Sequence, residues 1–222
     1  RGLGDVYKRQ HYHNALEREL ALLHKKESAL LFTSAYNANQ TTLETMGKII
    51  PDLLFISDEE NHSSIIQGLR HSKCRKEIFK HNDVQDLESI LMSNPGPKCV
   101  VFESVYSMDG DIAPVKEIIE VSKKYNAITY IDEVHAVGLY GETGAGICER
   151  DKVEVDIING TLAKAYGVQG GYITGKREFI DAIRSMASAF IFTTSLSPVI
   201  CAGALTSIKY VNCLLYTSPS PR

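Results

Sequence analysis

A single lysine, Lys164, lies in a short linker at residues 159–167 (NGTLAKAYG) between two apolar runs. The β-branched residues at 153–158 predict one buried strand, and residues 170–175, which glycines bound, predict another. An ammonium group is costly to bury without a partner, and burial would lower its pKa. A lysine in that state is a nucleophilic amine that can form a Schiff base with a carbonyl. An exposed loop lysine is the simpler interpretation of this stretch alone.

A carboxylate and an imidazole follow another apolar run, at residues 127–131. Asp132 comes directly after that run, where it needs a cationic partner, several donors or a raised pKa. A protonated pyridine nitrogen would suit it, and a cofactor held in this way becomes a better electron sink. His135 could donate to a phenolate oxygen on the same ring. The alternatives are a structural role for both residues or, with Glu133, a metal site that lacks the HExxH spacing.

Four further positions could contact a flat, phosphorylated ligand. His62 precedes a predicted helix and could stack on an aromatic ring, although an exposed loop histidine is the simpler interpretation. Thr161 could hydrogen-bond a phosphate, as could the backbone amides of Ala35 and Tyr36 if they begin a helix. The chain contains neither GxGxxG nor GxxxxGK[ST], so a dinucleotide or a nucleoside triphosphate is poorly supported.

Composition excludes several classes of protein. The chain has 222 residues, 44% of them hydrophobic and 23% charged, which is typical of a globular domain with a core. Its net charge of -3 and the lack of a basic run argue against nucleic acid as a partner. No apolar run approaches the roughly 20 residues of a membrane span. The five cysteines are widely spaced without a CxxC pair, which argues against a zinc ribbon or a disulfide scaffold.

Strands and helices alternate along most of the chain. This alternation predicts an α/β fold with a mainly parallel sheet flanked by helices. In such sheets ligands bind beyond the carboxyl ends of the strands, so residues 104–107, 132–135 and 161–164 are expected to converge on one crevice. The predicted strands are 52–57, 77–80, 98–105, 127–131, 153–158 and 170–175, and the predicted helices are 14–26, 37–46, 63–71, 83–92, a helix from 114, and 176–186.

The two ends differ from the rest of the chain. Residues 1–10 and 213–222 resemble translated adapter or vector sequence, and we expect them to be non-native flanks. The native domain is then expected to occupy residues 11–212 and to be partial, with an N-terminal segment and a C-terminal small domain missing.

Several tracts resemble the α-oxoamine synthase group of pyridoxal-phosphate enzymes. The resemblance runs from about residue 11 to about residue 211. It is specific, because several long motifs occur in the expected order. The tracts are residues 102–114 (FESVYSMDGDIAP), 131–141 (IDEVHAVGLYG), 144–151 (GAGICERD), 160–165 (GTLAKA) and 190–196 (FIFTTSL).

The resemblance implies the large domain of a fold-type I pyridoxal-phosphate transferase that works as a homodimer with its active site at the subunit interface. It implies that Lys164 holds the cofactor covalently and acts as general base, and that Asp132 pairs with the pyridinium nitrogen. The other implied cofactor contacts are His62 stacking on the ring, His135 and Ser107 on its hydroxyl side, Thr161 with the amides of Ala35 and Tyr36 on the phosphate, and Thr193 and Thr194 on the neighbouring subunit's phosphate.

Within the group, the motif wording favours the member that condenses glycine with succinyl-CoA to 5-aminolevulinate, CoA and CO2, the first step of haem and other tetrapyrrole biosynthesis. The alternatives are 2-amino-3-ketobutyrate CoA ligase, 8-amino-7-oxononanoate synthase, serine palmitoyltransferase, or an inactive fragment of such an enzyme. The resemblance implies the cytoplasm of a bacterium or the mitochondrial matrix of a eukaryote.

Overall fold

The computed structural model describes residues 3–215, and side chains within residues 11–213. A seven-stranded sheet is flanked by helices on both faces. The strands are β1 Ser28–Phe32, β2 Leu54–Asp58, β3 Arg75–Phe79, β4 Lys98–Glu103, β5 Ile128–Asp132, β6 Ile157–Thr161 and β7 Gly171–Gly175. The helices are α1 Leu3–Leu23, α2 Ala35–Ile49, α3 Ser63–Ser72, α4 Val84–Ser93, α5 Val115–Lys124, α6 Ile147–Arg150, α7 Arg177–Met186, α8 Ser188–Ile191 and α9 Pro198–Leu215.

The sheet confirms the predicted α/β fold and adds one reversed strand. Its order is β1-β7-β6-β5-β4-β2-β3. All the pairings from β3 to β6 are parallel, whereas β7 runs antiparallel to both β6 and β1. The carboxyl ends of β2, β4, β5 and β6 therefore meet at one edge, as parallel strands require.

Strands β2 and β4 are buried on both faces, as parallel strands inside a sheet usually are, whereas the edge strand β3 is exposed except at Phe79. Successive residues of β2 show the alternation, because Ile56 packs into one core cluster and Phe55 into another. The same alternation recurs in β4, where Phe102 and Val101 point to opposite sides of the sheet. The two cores lie on opposite faces and hold the sheet edge between them.

The strand before Lys164 differs from the prediction. Residues 153–158 were expected to form it, but β6 begins at Ile157. Asp156 is the reason, since its carboxylate accepts hydrogen bonds from the backbone N–H of Thr129 at 2.8 Å and from Thr129 Oγ1 at 2.9 Å. This side-chain pairing replaces strand pairing ahead of Ile157. The shift also extends the strand through Thr161, which shortens the linker to Lys164.

Helix α2 begins two residues before the predicted start at residue 37. Ser34 is its N-cap, and Ser34 Oγ accepts a hydrogen bond from the backbone N–H of Asn37 at 3.1 Å. The amides of Ala35 and Tyr36 therefore lie in the first turn of the helix. This is the condition under which they could contact an anion.

Helices α1 and α9 extend into the two segments predicted to be non-native. Helix α1 includes residues 3–10, and α9 continues to Leu215. The non-native origin of these segments stays a prediction, and residues 1–2 and 216–222 lie outside the described part of the chain. None of the described helices combines the length and the apolar character that a membrane crossing requires.

Candidate active site

The polar residues at the carboxyl edge of the sheet lie side by side. Glu103 at the end of β4 is in register with Asp132 at the end of β5, and Asp132 is in register with Asn159 in β6. All three side chains are buried. This arrangement confirms that the segments after β4 and β5 converge, and it places two carboxyl groups next to each other.

Asp132 has hydrogen-bond donors but no cation of its own. Its Oδ2 accepts from Asn39 Nδ2 at 2.6 Å, and its Oδ1 accepts from the backbone N–H of Val134 at 2.9 Å. Burial raises the pKa of this carboxyl group, and the two donors oppose that rise. Among the described residues, no lysine, arginine or histidine nitrogen lies within 4.0 Å of it. A cation supplied from outside the chain would complete this site.

A network that the sequence did not indicate joins Asp132 to His62. Asn39, on the buried face of α2, donates to Ser64 Oγ at 2.9 Å as well as to Asp132, and its Oδ1 accepts from the Tyr130 hydroxyl at 2.7 Å. Ser64 Oγ in turn lies 2.8 Å from His62 Nδ1. The one sequence signal is an asparagine close to the apolar positions Leu43 and Met46 of a predicted helix, since a polar group that is buried there needs partners.

Lys164 and His135 share the same crevice. His135 lies three residues beyond Asp132 and is partly buried, and Lys164 lies three residues beyond the end of β6 with an exposed side chain. Burial and, after it, the charge of Lys164 lower the pKa of His135, so the two side chains are close enough to interact. The described residues thus leave Lys164 open to a ligand rather than burying it between strands.

The N-terminus of α2 lies against the ends of β6 and β7. Thr161 is in register with Gly171, and a Cβ atom added to Gly171 would lie 2.1 Å from the backbone nitrogen of Ala35. Thr161 is buried, and its Oγ1 accepts from the backbone N–H of Ala163 at 3.1 Å. Neither the Ala35 nor the Tyr36 amide donates to another described residue. These free amides beside a threonine hydroxyl form a suitable anion site.

His62 is exposed at the start of α3, with the ring of Tyr36 edge-on to it at a centroid distance of 6.2 Å. Its ring nitrogen Nδ1 is already engaged by Ser64, which fixes the plane of the imidazole. An exposed, oriented ring is available to stack on a ligand, and the stacking itself stays a prediction.

Ser107, Thr193 and Thr194 have exposed side chains, and no described hydrogen bond joins them to this network. Ser107 is exposed in the loop after β4. Thr193 and Thr194 are exposed and line a cavity of about 350 Å³, and no described hydrogen bond joins them to Lys164 or Asp132. The described hydrogen bonds therefore do not tie these three side chains to the site in a single copy.

Glu133 has a structural role instead of the metal-binding one considered above. Its carboxylate accepts from Ser104 Oγ at 2.6 Å and from the amides of Ile147 and Cys148 at 3.0 and 2.8 Å. These bonds hold the start of α6 against β4 and commit both carboxylate oxygens. No cluster of three or more potential metal ligands occurs among the described residues.

The sequence matches the model of a known protein family. The family described as aminotransferase class I and II matches residues 4–214. The chain belongs to this family.

Several relatives within this family are 5-aminolevulinate synthases. A 5-aminolevulinate synthase from Rhizobium meliloti is 55% identical over 214 residues, which is 95% of this chain and 53% of the relative. A mitochondrial 5-aminolevulinate synthase from Schizosaccharomyces pombe is 54% identical over 201 residues, which is 88% of this chain and 36% of the relative. The chain spans about half the length of the bacterial relatives it matches.

Solved structures agree with the aminotransferase class I and II fold. A serine palmitoyltransferase from S. paucimobilis, solved with a bound PLP-myriocin aldimine, superposes with a TM-score of 0.86 at 35% identity. The match covers 90% of this chain and 51% of that structure. The fold is therefore that of the large domain of fold-type I pyridoxal-phosphate enzymes, as predicted.

Proposed function

We propose that the protein to which this chain belongs is a 5-aminolevulinate synthase. It would condense glycine with succinyl-CoA to give 5-aminolevulinate, CoA and CO2. The observation that carries this proposal is the 55% identity to the Rhizobium meliloti enzyme across 95% of the chain. The serine palmitoyltransferase structures share the fold at only 35% identity, so that function is the weaker candidate.

The residues of the site suit pyridoxal phosphate. Asp132 offers a buried carboxylate with no cationic partner among the described residues, which a pyridinium nitrogen would supply. Two charges about 4 Å apart attract by roughly 4 kcal/mol at an effective dielectric of about 20, which would offset much of the cost of burying Asp132. The free amides of Ala35 and Tyr36 beside Thr161 suit its phosphate. When bound, the cofactor supplies an electron sink that stabilises negative charge on the substrate carbon.

Lys164 is the residue we assign to covalent attachment and to proton transfer. Its exposed amine stands beside His135 and can reach a ligand in the crevice. With glycine bound, the same amine would be placed to take a proton from the glycine Cα. Asp132 would keep the nitrogen of a bound ring protonated, and His62 would stack on that ring. His135 and Ser107 would hydrogen-bond the ring oxygen.

We further propose that two copies of the protein form a homodimer with the site at their interface. Large apolar side chains are exposed next to Ser107 and next to Thr193. Met108 follows Ser107 and is 90% exposed, and Phe192 precedes Thr193 and is 86% exposed. A second copy would bury these side chains and bring Thr193 and Thr194 to its partner's phosphate.

The compartment would be the bacterial cytoplasm or the mitochondrial matrix, since relatives of both origins occur.

Borohydride trapping tests the cofactor assignment. The chain is incubated with pyridoxal phosphate and reduced, and its peptides are mapped, with Lys164→Ala as the test variant and the exposed Lys176→Ala as the matched control. We expect the adduct on Lys164 and its loss in Lys164→Ala alone. An adduct elsewhere, or none in a protein extended at both ends to the length of its relatives, would refute the assignment.

The acyl donor is tested separately. The extended protein is assayed with glycine and succinyl-, acetyl-, pimeloyl- or palmitoyl-CoA. A preference for succinyl-CoA is expected, whereas a preference for another thioester would assign the protein to a different α-oxoamine synthase. The 222-residue chain is assayed in the same way. If it traps the cofactor on Lys164 but turns over none of the donors, it is an inactive fragment.

A further inference from the structure

The two carboxyl oxygens of Glu103 face the two histidines of the site. Its Oε1 accepts a hydrogen bond from the backbone N–H of His62 at 2.5 Å. Its Oε2 faces His135 Nδ1 at 3.8 Å. The side chain is buried and lies at the end of β4, fixed by the register of the sheet. Nothing in the assignment of the cofactor contacts uses this residue.

His135 Nδ1 is a buried polar atom without a hydrogen-bond partner among the described residues. An unpaired buried nitrogen costs about 1–3 kcal/mol, so a partner within reach is expected to be used. Glu103 Oε2 comes within hydrogen-bond distance if either side chain moves by less than about 1 Å. The Val105 carbonyl is the other nearby acceptor.

The surroundings of Glu103 decide which of the two groups carries the proton. The acidic groups that face it are Asp132 on β5 and Asp58 on β2, and the basic groups are His81 after β3, His62 and His135. Burial and then the neighbouring charge of Asp132 raise the pKa of Glu103 to about 8. Two adjacent buried carboxyl groups cannot both ionise cheaply, and Asp132 has two donors to stabilise its charge whereas Glu103 has one. Glu103 is therefore the carboxyl group that stays neutral at pH 7.

We propose that protonated Glu103 is a positioning residue that donates a hydrogen bond to His135 Nδ1 and so fixes the tautomer of His135 that carries its proton on Nε2. In this tautomer Nε2 carries the N–H group and can donate a hydrogen bond to the ring oxygen. The proposal rests on the proposed function for the role of His135 toward the ring oxygen. Glu103 also accepts from the backbone N–H of His62, so one side chain contacts the residues that carry both imidazoles.

A neutral isostere distinguishes this arrangement from a purely structural one. In Glu103→Gln, the amide oxygen can accept from the His62 N–H while the amide N–H donates to His135 Nδ1. This variant reproduces the protonated form at every pH. Glu60→Gln is the matched control, since Glu60 is a nearby carboxylate that lies 3.6 Å from His81 Nε2 and contacts neither site histidine.

The measurement is the imidazole ¹⁵N spectrum of the cofactor-free chain with labelled histidine, from about pH 6 to about pH 10, a range that brackets the raised pKa. Signals of His135 are assigned by their loss in His135→Gln. In the unmodified chain we expect Nδ1 to be unprotonated below about pH 8 and the other tautomer to appear above it. Glu103→Gln should keep the Nε2–H tautomer throughout, and Glu60→Gln should behave like the unmodified chain.

Two results would overturn the proposal. A proton on Nδ1 across the whole range would mean that His135 bonds the Val105 carbonyl instead. A transition in Glu103→Gln at the same pH as in the unmodified chain would show that Glu103 is not its source. With cofactor bound, turnover should fall roughly tenfold for each pH unit above the transition and stay level in Glu103→Gln. Because the tautomer is read without cofactor, failure of Lys164 trapping would refute the proposed function without altering this result.

Discussion

Replacing Asn39 by alanine should destabilise the chain far more than an ordinary helix substitution. The change removes a hydrogen bond to the Asp132 carboxylate, worth about 1.5–3 kcal/mol, and two to the neutral hydroxyls of Ser64 and Tyr130, worth about 1 kcal/mol each. The expected loss in the free energy of unfolding is therefore about 3.5–5 kcal/mol. It should be accompanied by weaker binding of pyridoxal phosphate, because Asp132 and His62 lose their common support.

Asn37→Ala is the matched control for this prediction. Asn37 lies in the first turn of the same helix, and its side chain donates one hydrogen bond, to Thr33 Oγ1 at 2.7 Å. Its removal should cost about 1 kcal/mol, and the gain in helix propensity on going to alanine is similar at the two positions. Urea unfolding followed by circular dichroism gives both free energies. Equal losses in the two variants would refute the idea that Asn39 organises the site.

Three further predictions concern Lys164, Gly171 and His81. Lys164→Ala should abolish both borohydride trapping and turnover, and residual glycine-dependent activity in it would contradict its assignment. Gly171→Ala should lower stability by about 3 kcal/mol or more, because its Cβ would meet the Ala35 backbone at 2.1 Å, whereas Gly203→Ala, with its nearest contact at 3.7 Å, should be nearly neutral in urea unfolding. Partial burial opposes protonation of His81, but its bonds to Asp58 and Asp111 prevail and raise its pKa to about 9. The stabilisation from His81 should therefore be complete below about pH 6.5, the usual value for histidine, and be lost as the pH rises through about 9. Urea midpoints across this range should fall in the unmodified chain and stay flatter in His81→Gln, and parallel curves would contradict the pairing.

The sequence predicted the fold class well because the signals are local. Apolar runs with β-branched residues mark buried strands, and Asp132 lies, as expected, at the carboxyl edge of the sheet. The direction of β7 could not be predicted, because period and composition are the same for a parallel and an antiparallel buried strand. The start of β6 was missed for a similar reason, since the side-chain bonds of Asp156 to Thr129 depend on a contact between distant segments.

The sequence indicated some residues of the candidate site but not others. Residues next to strand ends were found because their position in the chain is informative. Asn39 and Glu103 were missed, since their roles come from register and from packing between layers. Glu103 stands opposite Asp132 only because β4 and β5 pair with that offset. The roles of Thr193 and Thr194 stay predictions that depend on a second copy.

The reversed strand β7 bears on when during protein synthesis the site can appear. Because β7 lies between β1 and β6, Ser28 near the start of the chain pairs with Gly175, which is far from it in sequence. A nascent chain that has emerged only as far as β5 already carries Ala35, His62 and Asp132, yet it lacks the strand that holds Gly171 against the start of α2. The proposed phosphate site at the start of α2 is therefore complete only after residue 175 has left the ribosome, and cofactor capture would report that the whole sheet has closed.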